Sequence, residues 1–252
     1  MKKIFSFALV AMLAVCATAS AQSSSNNKFK DFINSSAWSE ASIQYNPTSI
    51  VYDASGADDL SLTGLSLEYN KAFSISKTMP LYVTAGLGLQ YSFGKETFDD
   101  WEYISAGVKE GYSDEFKYSI FSVKIPVNLL YHLDITKDGK FAVEPMAGLN
   151  FRLHISATQT IDEEKYQWKW DGNGGRVQTD PETNSGSRSF FDKDDMGSSD
   201  ATWNRFQLGY NVGANFVYDK KYVLGVSYTG DFTELCKKTN LSIWNIKVGM
   251  RF

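Results

Sequence analysis

From Trp244 to Phe252 every second residue is apolar: Trp244, Ile246, Val248, Met250 and Phe252, with Asn245, Lys247, Gly249 and Arg251 between them. Alternation of period two marks a strand with two unlike faces. Seven earlier stretches share it. They are Ala37 to Tyr45, Leu62 to Phe73, Leu81 to Phe93, Lys117 to Leu133, Phe141 to Ile155, Trp203 to Tyr218 and Tyr222 to Phe232. The last stretch, Asn240 to Phe252, makes eight. The Leu81 run is the cleanest and the Ala37 run the weakest. Pro126 and Pro145 fall inside two of the runs, where each removes a ladder donor. Bulges are expected beside them.

The links between runs alternate in length. Those at 74–80, 134–140 and 219–221 are short and carry turn residues such as Asp138-Gly139 and Asp219-Lys220. Those at 46–61, 94–116, 156–202 and 233–240 include the long ones. Short turns at one end and long loops at the other predict an all-β fold: an eight-stranded antiparallel up-and-down transmembrane β-barrel over 36–252. Its long outer loops are 94–116 and 157–202. An even strand count places both termini on the short-turn side.

Orientation decides between a water-filled cup and a lipid-facing barrel. The polar faces are rich in Gly, Ser and Asn with few charges, as suits a narrow lumen. The apolar faces of the four central runs carry no charge at mid-strand, where one costs about 2–4 kcal/mol against lipid. Aromatics gather at the run ends, as at membrane interfaces. The chain's 14 Tyr and 17 Phe supply them. The apolar face is therefore expected outward.

The N-terminal 21 residues read as a signal peptide: Lys2 and Lys3, an apolar stretch from Ile4 to Ala17, then Ala19-Ser20-Ala21 as the cleavage site. Residues 22–35 are Ser/Asn-rich and read as a periplasmic lead-in. Removing Lys2 and Lys3 takes the net charge from −4 to −6, which repels nucleic acid. With two His, and Cys236 the one mature Cys, no zinc set, internal disulfide or cofactor is expected.

Several motifs together resemble the PorT-like outer-membrane β-barrel family of the Bacteroidota, a porin-family small barrel. They are Ile125-Pro126-Val127 running to Tyr131, Glu144-Pro145-Met146-Ala147-Gly148-Leu149-Asn150-Phe151, Asn211-Val212-Gly213-Ala214-Asn215-Phe216 and Lys247-Val248-Gly249-Met250-Arg251-Phe252. The resemblance covers 36–252. It implies the outer membrane of a Gram-negative cell, extracellular loops, periplasmic termini, and lipid or lipopolysaccharide as surroundings. One namesake serves a secretion system, so a secretion or transport assembly is a second functional class. The terminal Phe252 strand resembles the signal read by the barrel-assembly machinery.

Three groups of residues carry candidate chemistry. Glu40, Glu68, Lys124, Arg152, Arg205 and Lys247 lie on polar faces and form a luminal charge network, since buried charges must pair. Placing Phe252 near residue 35 sets Glu40 opposite Lys247. His154 and Ser156, with Glu163 or Glu164 as orienting acid, resemble the dyad of lipid A deacylases. Parity turns both into the lumen, whereas that dyad faces lipid, and the surrounding motif is absent. The chain therefore reads as non-enzymatic, with a role in envelope structure or surface interaction. In the outer loops Trp101, Trp168, Trp170, Phe190 and Phe191 are candidate contacts for a surface protein or glycan. Asp171-Gly-Asn173-Gly-Gly lacks the later Glu of a calcium loop, and no metal is expected.

Overall fold

Eight strands close on themselves. The computed structural model describes residues 37–252 except 54–58, 77, 106–107 and 171–175. The signal-peptide and lead-in readings lie outside the described residues. The strands are β1 (Trp38–Tyr45), β2 (Thr48–Tyr52), β3 (Leu60–Ser74), β4 (Leu81–Ser105), β5 (Val108–Tyr131) and β6 (Leu133–Asp134). They continue with β7 (Phe141–Trp170), β8 (Arg176–Gln178), β9 (Glu182–Ser189), the short helix α1 (Lys193–Met196), β10 (Phe206–Tyr218), β11 (Tyr222–Asp231) and β12 (Thr239–Arg251). The ring runs β1-β12-β11-β10-β7-β5-β4-β3 and returns to β1, antiparallel throughout. Beyond Asn46-Pro47 the first strand resumes as β2, wedged between β12 and β3. The link expected at 46–61 thus contains a strand.

The two faces of the ring are inverted relative to a water-soluble barrel. Along β1, Glu40, Ser42 and Gln44 are buried while Ile43 and Tyr45 are exposed. Along β12, Asn245 and Lys247 are buried while Trp244, Ile246 and Val248 are exposed, Val248 by 63%. Exposed aromatics stand at both rims: Tyr45, Phe206 and Trp244 at one, Phe141, Tyr218 and Tyr222 at the other. From Phe141 to Leu153 a strand tilted by about 40° rises about 30 Å, enough for the apolar band of a bilayer.

The regions 94–116 and 157–202 are not loops for most of their length. β4, β5 and β7 run on past the ring. The β3–β4 ladder stops at Thr63 and Phe93, but β4 stays paired with β5 out to Ser105 and Val108. The β7–β10 ladder stops at Leu153 and Phe206, but β7 stays paired with β5 out to Lys169 and Val108. β8 and β9 add to the outer edge of β7. The result is a sheet of three long strands and two short ones that continues the ring on one side.

The prolines do not break the register. Pro126 sits opposite Asn150 and Pro145 opposite Ala214, each within a stretch of constant register. Pro126 costs only local pairing: the β4–β5 ladder skips from Ala85–Val127 to Gly88–Lys124 at constant register. The bulge lies elsewhere, between Phe121 and Ser122, where Ile155 is the extra residue on β7. At the seam, Ser39 and Phe252 exchange backbone hydrogen bonds, so Glu40 lies opposite Arg251 and Gln44 opposite Lys247. Phe252 is four residues from its expected place beside residue 35. No covalent turn joins β12 to β1, so nothing local in the sequence sets that register.

The interior is polar in the middle and apolar at its ends. At the end facing the projecting sheet, Ile50, Leu60, Leu62, Ile120, Leu235 and Leu241 pack with Phe190 and Trp203 into a buried core. At the short-turn end Ala142, Val217 and Val223 form a smaller one. No described helix is long and apolar enough to cross a membrane.

Candidate functional site

Between the two apolar ends, charged side chains fill the ring in three tiers. Nearest the short turns, Arg251 donates to both carboxylate oxygens of Glu144 (2.8 and 2.5 Å) and, through Nε, to Glu40 (3.0 Å). The Trp38 ring lies 4.5 Å from its guanidinium. The imidazole of His132 contacts Glu144 from the other side through Nδ1, at 2.7 Å. In the middle tier Lys247 reaches Glu40 at 2.7 Å, and Lys124 reaches Glu68 at 3.0 Å and Gln44 at 2.8 Å. Highest, Arg152 pairs with Asp231 (3.2 Å). Beside it His154 bridges Ser122 and Gln207, each at 2.8 Å.

Glycine makes room for the two lysines. A Cβ on Gly88 would lie 2.7 Å from Lys124 Cε, and one on Gly225 would lie 2.8 Å from Lys247 Cε. Both glycines occupy the inward parity of their strands, so the small residues of the polar face are space for longer neighbours.

The four bases Lys124, Arg152, Lys247 and Arg251 meet the four acids Glu40, Glu68, Glu144 and Asp231, so these charges cancel. The space left over is a cavity of about 40 Å³, lined by polar groups including Asn70, Asn150 and Asn215. It has room for about three water molecules. Such a mass of paired charge is a brace. Each of these four bases has an acidic partner, and the apolar core lies above them.

The projecting sheet has its own polar cluster. Glu110 is buried there and accepts hydrogen bonds from Tyr112 (2.5 Å) and Gln167 (3.0 Å), with Lys165 at 2.9 Å. These donors hold its carboxyl down to about 2, Tyr112 contributing most. Lys117 bridges Glu115 and Asp162 at 2.7 and 2.6 Å, and Lys95 reaches Glu115 at 2.7 Å. Of these, Gln167 and Lys165 to Glu110, Asp162 to Lys117 and Lys95 to Glu115 link neighbouring strands of the sheet. On one face of the sheet Lys109 stands 3.2 Å over the Trp101 ring and 5.3 Å from Trp168, which packs edge-on against Tyr166.

Several expected residues fall elsewhere. Arg205 is outside the luminal network: its side chain is exposed, donates to the Ile155 carbonyl and lies over Phe191. His154 and Ser156 do not form a dyad. The extra residue Ile155 reverses the parity after His154, so His154 faces in while Ser156 is exposed outside. Glu163 lies far along the projecting sheet, paired with Asp114 and hydrogen-bonded to Asn184. Phe190 and Phe191 are not loop contacts. Phe190 is buried and stacks on Trp203 at 4.1 Å, and Phe191 packs against the same core. Trp101 and Trp168 do stand together on the projecting sheet. The Trp170 side chain and the 171–175 motif lie outside the described residues.

The residues missed from the network are Arg251, Glu144, Asp231 and His132. Their signal was parity, since Arg251 shares the polar face of Lys247, and Glu144 that of Arg152. Among the described residues no group of three or more His, Cys, Asp or Glu side chains is placed to hold a metal ion.

No protein-family model and no curated protein matches the chain. Solved structures do. Ail, the attachment invasion locus protein of Yersinia pestis, is similar at 14% identity over 85% of this chain and 98% of that one, with a TM-score of 0.36. The translocator domain of the autotransporter NalP from Neisseria meningitidis is similar at 10% identity over 98% of both chains, TM-score 0.29. The N-terminal β-barrel domain of Pseudomonas aeruginosa OprF is similar at 10% identity over 84% and 97%, TM-score 0.25. At these values the fold assignment rests on the closed strand ring itself.

Proposed function

We propose that this chain is an integral outer-membrane protein, an eight-stranded barrel whose interior is structural and whose projecting sheet is its working surface. The observation that carries the reading is the inversion of the ring: Leu149, Val212 and Val248 face out while Glu40, Glu144 and Arg251 are buried within. Water outside would reverse both sets; lipid outside requires them as they are. The reading places the short turns and Phe252 on the periplasmic side, the projecting sheet outside the cell, and lipid or lipopolysaccharide against the belt. The role is non-enzymatic. The separation of His154 from Ser156 and Glu163 supports that, and the apolar core over the lumen argues against a conduit for a secretion or transport assembly. The PorT-like resemblance and assembly through the Phe252 strand belong to the same reading.

In a planar lipid bilayer the purified protein is expected to insert without nanosiemens-scale steps. Sustained openings of that size would show a conducting lumen and remove the structural reading of the interior.

A further inference from the structure

The ladder of β9 with β7 runs from Thr158–Ser189 to Lys165–Glu182 without a shift, and among the described residues no strand pairs with its other edge. The flanking chain lies elsewhere: β8 sits on the same edge of β7, and past Ser189 the chain turns into α1. The direction of the backbone groups follows from that turn. Phe190 donates its N–H to Ala157 of β7, whereas the Ser189 N–H donates to the Asp195 carboxylate at 2.6 Å and the Ser189 carbonyl accepts from Asp192. Alternate residues of a strand direct both groups to the same side. Thr183, Ser185 and Ser187 therefore present N–H and C=O away from β7, and the turn into α1 occupies that edge only at Ser189. Natural edges are usually guarded by Pro or Lys. From Glu182 to Ser189 the strand reads Glu-Thr-Asn-Ser-Gly-Ser-Arg-Ser, with neither, and Glu182 to Ser187 are all exposed.

The charges on this edge select the occupant. Glu182 and Arg188 stand toward its two ends on one face of the strand, and neither has an ion pair among the described residues. Pairing β9 antiparallel with its own copy about Ser185 sets Glu182 opposite Arg188 twice, as a two-fold contact requires. It also sets Ser185 opposite its counterpart and Thr183 opposite Ser187, so the residues whose backbone groups point outward meet and can exchange both bonds. Glu182 and Arg188 then fall at the alternate positions, where opposing side chains stand closer. Asn184 falls opposite Gly186, where a Cβ would meet nothing within 4 Å. Parallel pairing of two copies in register would instead bring Glu182 to Glu182 and Arg188 to Arg188, and facing like charges are destabilising.

The symmetry fixes how the two copies stand. A two-fold axis that relates antiparallel edge strands is perpendicular to their sheet. β9 lies on β7, which continues the wall of the ring, so the strand and the ring axis both lie in the plane of that wall. The rotation that reverses the strand therefore reverses the ring axis too. Copies inserted in one membrane all point the same way, so antiparallel partners stand in two membranes that face each other. Ser185 lies opposite Asp162. From Leu153 to Asp162 β7 climbs about 23 Å, at about 3.3 Å per residue and a tilt of about 40°, which sets the facing rings about 45 Å apart.

We propose that β9 is a homophilic contact: it pairs antiparallel about Ser185 with β9 of a second copy of this chain in a facing membrane, and so joins two membrane surfaces. The proposal rests on the reading of the ring as a membrane barrel with the projecting sheet as its working surface. Main-chain pairing supplies the geometry, and the Glu182–Arg188 contacts supply the selection.

The test uses the full-length protein in lipid nanodiscs that hold one copy each. Sedimentation is expected to show concentration-dependent pairs of discs, and electron microscopy to show the paired discs face to face. Glu182→Arg or Arg188→Glu alone is expected to weaken pairing by about tenfold or more, because like charges then meet at both contacts. Mixing the two variants sets opposite charges against each other again and is expected to restore pairing. Ser185→Pro removes an outward N–H and leaves the ladder with β7 in place, and it is expected to abolish pairing. Discs that stay single, a charge variant that pairs like the wild type, or no recovery on mixing would overturn the proposal. So would pairing of two copies inside one larger disc but never between discs, because the edge would then serve a parallel pair. Faster gel migration of the unboiled protein reports on the barrel separately. Wild-type protein that keeps that shift while its discs stay single would overturn the contact and leave the barrel reading standing; absence of the shift would overturn both.

Discussion

Arg251→Leu is expected to destabilise the folded protein by about 3–5 kcal/mol, the usual cost of breaking a buried ion pair from one side. The guanidinium holds Glu144 through two hydrogen bonds and Glu40 through a third, and it lies against Trp38. Glu144 has no solvent exposure of its own. Without Arg251 its remaining contact is His132, and a buried carboxylate loses most of its compensation. Glu40 is affected less, because Lys247 still reaches it at 2.7 Å. The double variant Arg251→Leu/Glu144→Leu removes both charges together and is expected to recover most of the loss. Urea unfolding in lipid vesicles, followed by tryptophan fluorescence, measures both. A single-variant loss under about 1 kcal/mol would mean that the tier is solvated and is not the brace described.

Leu149→Arg tests the outer face. Leu149 is exposed within the ring portion of β7, between Phe141 and Leu153, flanked by Tyr210 of β10 and Val127 of β5. In lipid the arginine is expected to cost about 2–4 kcal/mol, because the middle of the belt offers no water to its head. In water it would cost little. Thr183→Arg on the projecting sheet is the control, with an expected change within about 0.5 kcal/mol. The same vesicle unfolding assay compares them. Equal effects at the two positions would mean that Leu149 does not face lipid.

The ring was legible in the sequence because its two faces differ so sharply. Even β1, with the weakest pattern, shows Glu40, Ser42 and Gln44 on one side. The projecting sheet was not legible for the converse reason. Residues 157–170 read Ala-Thr-Gln-Thr-Ile-Asp-Glu-Glu-Lys-Tyr-Gln-Trp-Lys-Trp, polar on both faces, so no period of two appears. Their strand tendency lay in composition, in Thr158, Thr160, Ile161, Tyr166 and Trp168. Their order comes from partners on other strands, such as Asp162 with Lys117.

The apolar core over the lumen left a trace that parity alone reveals. Leu60 and Leu62 share the inward parity of Gly64 and Glu68, so the inner face turns apolar at the rim. The bulge at Ile155 left none, because an extra residue beside His154 has no local signature. That residue decides that Ser156 points away from His154. Of the luminal charges, Glu40, Glu68, Lys124, Arg152 and Lys247 lie where alternation puts them. Arg205 does not, because β10 begins one residue later, at Phe206.

The proposed membrane location requires the apolar face of the ring to touch lipid. Single cysteines at Trp244, Ile246, Val248 and Met250, in a Cys236→Ser background, carry a nitroxide label in liposomes. Collision with oxygen, which concentrates in lipid, is compared with collision with a water-soluble nickel chelate. Lipid contact predicts high oxygen and low nickel accessibility at Ile246 and Val248, with nickel access rising only toward Trp244 and Met250. High nickel accessibility at Ile246 and Val248 would place water against that face and contradict the account.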